Sequence, residues 1–239
     1  MSTKATDRAT MLNTPPAACT TSVDVTYERL KRVLDVIIAF TLLAMFLPLW
    51  LFIALFIKLT SKGPVFYTST VVGKGGKPFT YYKFRTMYAN NDPTIHARFI
   101  EQFVRKNRPF TEVQGKGGSR RPVYKVINDP RVTPFGRLLR KTSLDEIPQM
   151  FNVLRGEMSI VGPRPPVWHE YQLYTDYCKR RLAVQPGITG LYQVKARNQV
   201  PFAEMLRIDL EYIRQRSFAL DLWIILRTFL VVATGEGAE

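Results

Sequence analysis

An apolar run from Val33 to Ile57, broken at Pro48, constrains this chain more than any other feature. As one straight helix its 25 residues would measure about 37 Å, more than the roughly 30 Å hydrocarbon core of a bilayer, so a single crossing is feasible. Pro48 lacks an N–H and its ring disturbs the preceding turn, which divides the run into arms of about 22 and 14 Å. Neither arm crosses alone, and two topologies remain: a bent, re-entrant helix, or a proline-kinked single span. Basic residues stand on both sides of the run, Lys4, Arg8, Arg29, Lys31 and Arg32 before it and Lys58, Lys62, Lys74, Lys77, Lys83 and Arg85 after it. Because positive charge is retained on the cytoplasmic face, this favours the re-entrant form. In a kinked span the same side chains would snorkel.

Residues 1–28, rich in Thr, Ser, Ala and Pro, are expected to form a flexible leader that buries nothing, and no small-residue cleavage site follows the apolar run before Lys58. The expected organisation is a leader at 1–28, a membrane-entering helical segment at 29–58 and a folded unit at 59–239. Gly63–Val72 and Pro78–Phe84 are β-rich runs around the turn Gly73–Lys77, which predicts a hairpin. Asp92-Pro93 reads as a helix start, with Ile95, Phe99, Ile100, Phe103 and Val104 as its apolar stripe. Gly115–Arg121 reads as a loop, with short strands or turns near 122–127 and 158–166. Further helices are expected near 147–154, 167–182, 201–215 and 219–233. The last, carrying Leu220, Leu222, Trp223, Ile224, Ile225, Leu226, Phe229 and Leu230, fits either a membrane interface or a packed core.

Charge adds a second constraint. The chain has 34 Lys and Arg against 19 Asp and Glu, a net charge of +15, and residues 58–141 hold 18 basic and 4 acidic residues. Such a stretch attracts polyanions: lipid headgroups, phosphorylated substrates or nucleic acid. The two cysteines, Cys19 and Cys178, and the two histidines, His96 and His169, lack the spacing of a zinc site or a disulfide framework.

Asp145 and Glu146 stand side by side within Lys141-Thr142-Ser143-Leu144-Asp145-Glu146-Ile147-Pro148. One reading is a capping box from Ser143 to Glu146, although Pro148 would then fall at the fifth helical position, where an N–H is used. The other starts a helix near Pro148 and leaves both carboxylates just before its positive end. A carboxylate can attack phosphorus while a neighbouring one holds Mg2+ against phosphate oxygens. Arg85, Arg140, Arg164 and Arg197 are candidate phosphate ligands, since a guanidinium matches phosphate oxygens in bidentate fashion. Two stiff turns follow, Val161-Gly162-Pro163-Arg164-Pro165-Pro166 and Pro186-Gly187-Ile188-Thr189-Gly190, the first holding Arg164 between Pro163 and Pro165.

Lys31-Arg32 with Asp35, Gly63-Pro64-Val65-Phe66, Lys83-Phe84-Arg85-Thr86-Met87, Asn128-Asp129-Pro130-Arg131-Val132-Thr133, Ser143 to Gln149 and Gly162 to Pro165 occur in this order. From about Glu28 to its C-terminus the chain therefore closely resembles the bacterial sugar transferase family, the monotopic polyprenyl-phosphate phosphoglycosyl transferases. The resemblance implies an α+β fold: a re-entrant membrane helix bent near Pro48, then a small, largely helical catalytic unit with a β-hairpin and interfacial helices. That unit would lie on the cytoplasmic face of the bacterial inner membrane. It further implies that Asp145 attacks the sugar-linked phosphate of a UDP-sugar, expels UMP and passes the phosphosugar to polyprenyl phosphate, while Glu146 helps bind Mg2+. Lys83, Arg85, Arg140, Pro163, Arg164, Pro165 and Arg197 become the expected substrate-binding residues. Longer relatives carry an extra multi-span region, and the polar first 28 residues lead us to expect the catalytic core alone. Val71, Tyr192 and Lys195-Ala196-Arg197 stand where an arginine, a tryptophan and Ser-Gly-Arg are common, which bears on the choice of sugar.

The competing reading is a non-enzymatic, membrane-anchored basic module that binds anionic lipid or nucleic acid through residues 58–141 and needs no carboxylate pair. The enzyme reading expects UDP-sugar, polyprenyl phosphate and membrane lipids as partners, and no nucleic acid. A variant of it keeps Asp145 and Glu146 on the metal while polyprenyl phosphate attacks directly.

Overall fold

The computed structural model describes residues 25–89, 92, 94–109, 111–114, 120–124, 126, 129–196 and 199–234. Helix α1 (Val25–Met45) is followed after Phe46 by α2 (Leu47–Thr60), and their axes differ by 64°. The bend falls where proline chemistry places it. Pro48 lies in the first turn of α2, where a missing N–H costs nothing, and Trp50 N resumes the ladder by donating to Phe46 O at 3.0 Å. Among the described residues no single helix is long and apolar enough to cross a membrane, while α1 and α2 together are.

The sequence boundary between leader and helix is corrected at one end. Residues 25–28 are already helical, and Tyr27, expected to bury nothing, is buried with its hydroxyl donating to Asp221 Oδ2 at 2.9 Å. Lys4, Arg8 and Cys19 lie outside the described residues.

The predicted hairpin is present: β1 (Phe66–Val72) pairs antiparallel with β2 (Pro78–Phe84), with Phe66 opposite Phe84 and Val72 opposite Pro78. Gly75, at φ +68°, makes the tight turn between them. Helix α3 (Thr94–Val104) starts beside Asp92, whose Oδ1 accepts from Thr94 N at 2.8 Å, and it buries Ile100 and Phe103 as the stripe requires. Strands β3 (Thr111–Gln114) and β4 (Arg120–Val123) form a second antiparallel pair, so Arg120 and Arg121 belong to a strand and not to the expected loop.

Helix α4 (Pro134–Lys141) was not foreseen. At eight residues it is too short for periodicity to reveal, yet Thr133 caps it by accepting from Gly136 N at 2.9 Å, with Pro134 in its first turn. A 3₁₀ turn (Leu144–Gln149) leads into α5 (Met150–Arg155), and β5 (Ser159–Val161) pairs in parallel with β6 (Gly187–Thr189). The helix expected over 167–182 is three pieces: α6 (Trp168–Tyr171), α7 (Asp176–Lys179) and a 3₁₀ turn (Arg180–Ala183). Thr175 restarts the chain as the N-cap of α7, accepting from Cys178 N at 3.4 Å. Helices α8 (Leu191–Lys195), α9 (Phe202–Gln215) and α10 (Phe218–Thr234) follow among the described residues. On α10 both anticipated faces exist: Ile224 and Val231 are buried, whereas Leu222, Trp223, Leu226, Phe229 and Leu230 are exposed.

Two apolar clusters carry the fold. The larger joins α1, the hairpin, α5, β5 and the helices after it. In the smaller, Trp50, Ile53 and Ile57 of α2 meet Phe84 and Leu139, with the Trp50 indole edge-on to Phe84. Polar contacts lock α1 in place. Lys31 Nζ lies 2.7 Å from Asp221 Oδ2, Asp35 Oδ1 accepts from Ile160 N at 3.0 Å, and the Arg32 guanidinium donates to the carbonyls of Val153 and Leu154.

The turn at Gly162 crosses the one at Gly187 so closely that side chains are excluded. A Cβ on Gly187 would lie 2.1 Å from Gly162 N and 2.4 Å from Thr189 O, both rigid backbone atoms. Replacing Gly187 by Ala should therefore destabilise the protein by about 1–3 kcal/mol, as overpacking does, read as a lowered midpoint of thermal unfolding in detergent; a variant melting with the parent would show that the two turns can separate.

Candidate active site

The carboxylate pair owes its position to one backbone reversal. Helix α4 ends at Lys141, Thr142 N and Ser143 N donate back to Leu138 O and Arg140 O, and Ser143 takes φ +56°. That left-handed residue turns the chain onto β2, where the 3₁₀ turn lays Asp145 and Glu146 against Lys83. The capping-box reading is excluded, since Ser143 makes no side-chain cap. The α-helix begins at Met150, so the carboxylates ride on the 3₁₀ turn and do not abut an α-helical N-terminus.

Lys83 Nζ meets Glu146 Oε1 at 2.6 Å and Asp145 Oδ2 at 3.6 Å, and sits 5.6 Å from the centre of the Tyr81 ring. Asp145 is only 6% exposed. Burial pushes its pKa up; Lys83 pulls it back in part, and the charge of Glu146 adds to the rise. For Glu146 burial also favours the neutral acid, but Lys83 and Arg164 outweigh it and hold the carboxyl below its usual range. The pair thus divides: one carboxylate is firmly ionised and the other more basic than an ordinary aspartate. A more basic carboxylate is the better nucleophile.

Of the expected substrate ligands, Arg140 and Arg164 join this site. The Arg140 Nε donates to Thr86 Oγ1 at 2.9 Å, and its charge acts on Asp145. Arg164 stands exposed between buried Pro163 and Pro165, in a turn whose carbonyls are gripped from outside: Gly187 N donates to Pro163 O at 2.9 Å and Val72 N to Pro166 O at 2.9 Å. Arg85 does not join. Its guanidinium closes the end of α2, donating to Ser61 O at 2.7 Å, Ser61 Oγ at 2.8 Å and Lys62 O at 3.0 Å. Gly63, at φ +124°, leaves room for that head group, because a Cβ there would lie 2.1 Å from Arg85 Nη1. Arg197 lies outside the described residues. Val71 is buried at 2% exposure in the main cluster, Tyr192 is buried near Arg164, and Lys195 pairs with Glu211 at 3.2 Å.

Tyr81 was missed, although it lies two residues before Lys83 and so shares its face of β2, the signal that period-two alternation provides. Gln149 was also missed. It is buried at 1% exposure beneath the pair, and its Nε2, though near enough to help lower the Glu146 pKa, makes no hydrogen bond of good geometry.

A model of the family described as bacterial sugar transferase matches residues 26–235. The chain belongs to the bacterial sugar transferase family. It is 40% identical over 208 residues to the exopolysaccharide production protein ExoY of Rhizobium meliloti, an alignment covering 87% of each chain. To the UDP-glucose:undecaprenyl-phosphate glucose-1-phosphate transferase of Caulobacter vibrioides it is 39% identical, over 87% of this chain and 71% of that one. To the undecaprenyl-phosphate galactose phosphotransferase of Salmonella typhimurium it is 38% identical, over 87% of this chain and 41% of that one. The chain is thus an enzyme of the phosphoglycosyl transferase class, and the non-enzymatic basic module is set aside.

If only ionised Asp145 reacts, the acid limb of kcat/KM should lie above the ordinary aspartate value of about 3.9. Lys83→Met removes the charge that most lowers the Asp145 pKa, and should move that limb to higher pH as well as reduce turnover. A pH–rate profile of the variant that falls at the parent's pH would disconnect Lys83 from the carboxylate pair.

Proposed function

We propose that this chain transfers a sugar 1-phosphate from a UDP-sugar to polyprenyl (undecaprenyl) phosphate, releasing UMP, as the first membrane step of bacterial exopolysaccharide, O-antigen or glycan assembly. The observation that carries this reading is the buried Asp145–Glu146 pair against Lys83, which lies 2.6 Å from Glu146 and 3.6 Å from Asp145, so that burial raises the Asp145 pKa while Lys83 and Arg164 hold Glu146 ionised. The names of its relatives support the substrates: those proteins act on undecaprenyl phosphate, and one of them on UDP-glucose.

In the proposed reaction an Asp145 oxygen attacks the phosphorus bearing the sugar. The phosphoanhydride bond to UMP breaks, UMP leaves with the electron pair, and the phosphosugar remains on the carboxylate as an acyl phosphate. An oxygen of polyprenyl phosphate then attacks the same phosphorus and frees Asp145. Lys83, Arg140 and Arg164 face the phosphate charge, and Arg164 on its stiff turn suits a bidentate contact.

A metal fits this donor set. Among the described residues no group of three acidic, His or Cys side chains gathers as a cage, and Mg2+ is commonly held by one or two carboxylates with substrate phosphates completing its shell. Glu146 would hold it. When bound, the ion supplies positive charge to the phosphate oxygens.

Asp145→Asn changes almost no volume and should lower turnover by on the order of 10³-fold or more, with no label retained on protein incubated with UDP-sugar carrying ³²P in the sugar-linked phosphate. Turnover of the Asn variant near the parent rate would remove the covalent step.

For the α1–α2 pair the reading is a re-entrant hairpin that enters the inner membrane from the cytoplasmic face and returns. The 64° bend and the exposed Phe40, Leu47, Leu51 and Leu55 support it. Cys178 is buried, so it cannot serve as a label for the catalytic side. Lys77→Cys in the exposed hairpin turn can replace it, and Cys19 reports on the other flank. In intact cells a membrane-impermeant maleimide should label neither cysteine, and both should react after permeabilisation. Labelling of Cys19 alone in intact cells would show a full crossing.

A further inference from the structure

Arg164 sits in a turn that cannot hold itself. Pro163, Pro165 and Pro166 contribute no N–H, so beyond Gly162 N, which donates to Thr189 O at 2.9 Å, the segment is fixed mainly through its carbonyls by donors from elsewhere. Gly187 and Val72 grip the carbonyls of Pro163 and Pro166. The carbonyl of Arg164 itself is taken by a side chain: Arg181 Nη2 donates to it at 3.0 Å across 17 residues.

Arg181 is an unusual donor for this task. It is only 2% exposed, and its guanidinium is committed on several sides at once. Nη2 also meets Asp209 Oδ2 at 2.6 Å, Nη1 donates to the Tyr174 hydroxyl at 2.6 Å, and Glu170 Oε1 lies 3.8 Å from Nη1. The Tyr174 hydroxyl donates in turn to Glu170 Oε1 at 2.5 Å. Asp209 comes from α9 and is as deeply buried as its partner. Taking a guanidinium and a carboxylate out of water is costly, and an apolar pair of the same volume would often stabilise a core as well or better. What an apolar pair cannot do is donate to a carbonyl. The planar guanidinium can satisfy a carboxylate, a hydroxyl and a backbone oxygen in fixed directions, which a lysine ammonium cannot reproduce.

We propose that Arg181, clamped by Asp209 and Tyr174, is a positioning residue that sets Arg164 in register with the carboxylate pair. It touches no substrate; it acts through the main chain of the residue that does. This inference rests on the assignment of Arg164 as a substrate-phosphate contact, so the two must be tested apart.

The test is a double-mutant cycle on the full chain in detergent or nanodiscs, with UMP release from a UDP-sugar as the rate and the midpoint of thermal unfolding measured alongside. Arg164→Ala alone should lower kcat/KM sharply. Arg181→Lys should lower it by on the order of 10- to 100-fold, the scale of a contact displaced by about an ångström. In the Arg164→Ala background the same lysine should cost less than about 2-fold more, because a positioning residue has nothing left to position. If the two losses multiply, or if Arg181→Lys turns over like the parent while Arg164→Ala is impaired, the positioning role is overturned. If Arg164→Ala itself turns over like the parent, the assignment of Arg164 falls, and this inference with it. Should Arg181→Lys fail to fold, Tyr174→Phe removes one clamp without disturbing the buried ion pair, and its smaller loss must likewise vanish in the Arg164→Ala background.

Discussion

Two adjacent carboxylates removed from bulk water repel each other and resist burial, and everything around Asp145 and Glu146 answers that one electrostatic problem. Lys83 is the central response. Its ammonium meets Glu146 at 2.6 Å and Asp145 at 3.6 Å, so that with Arg164 it outweighs burial at Glu146 but only partly offsets burial at Asp145. Equal sharing would leave two similar acids, and full exposure two ordinary ones. The hairpin, the left-handed Ser143 and the 3₁₀ turn exist in the right relation to set this unequal distance.

The helix that follows the pair is tied to α1 by polar contacts at its far end. Arg32 donates to the carbonyls of Val153 and Leu154 at the end of α5, the first of which also accepts from Gly156 N at 2.9 Å. From the other side Asn152, fully buried, donates to Thr80 O at 2.7 Å and Glu157 Oε2 at 2.6 Å, and so fastens α5 to β2. Helix α5 is six residues long and has little stability of its own. It persists because a guanidinium from α1 and an amide bridge to the hairpin satisfy groups that water would otherwise reach.

What could be read from the sequence followed from local chemistry. The hairpin, the Asp92 helix start and the break near Pro48 each depend on residues within a few positions of one another, and all three are present. The carboxylate pair stood out as adjacent acids at the end of the basic stretch, and family resemblance supplied its expected roles. The failures were nonlocal or too brief for a pattern. Helix α4 is shorter than its own period needs, and the segment at 167–182 has helical spacing but is cut by the Thr175 cap. Arg85 looked like a phosphate ligand because an arginine in a basic stretch carries no mark of its partner; only the fold brings Ser61 and Lys62 to it. Arg181 was invisible for the same reason, since its partners Asp209 and Tyr174 come from other elements.

Lys83, Phe84 and Arg85 are three consecutive residues with three different clients. Lys83 serves the carboxylate pair, Phe84 packs on Trp50 of α2, and Arg85 binds the carbonyls at the end of α2. One stretch of backbone therefore works as a ruler between the carboxylate pair and the apolar helix pair. Whatever layer α2 enters, the height of Asp145 above it is set by a fixed length of strand and not by the fluctuations of a linker. In the reaction proposed above, a lipid phosphate presented at one depth would then meet Asp145 at one level.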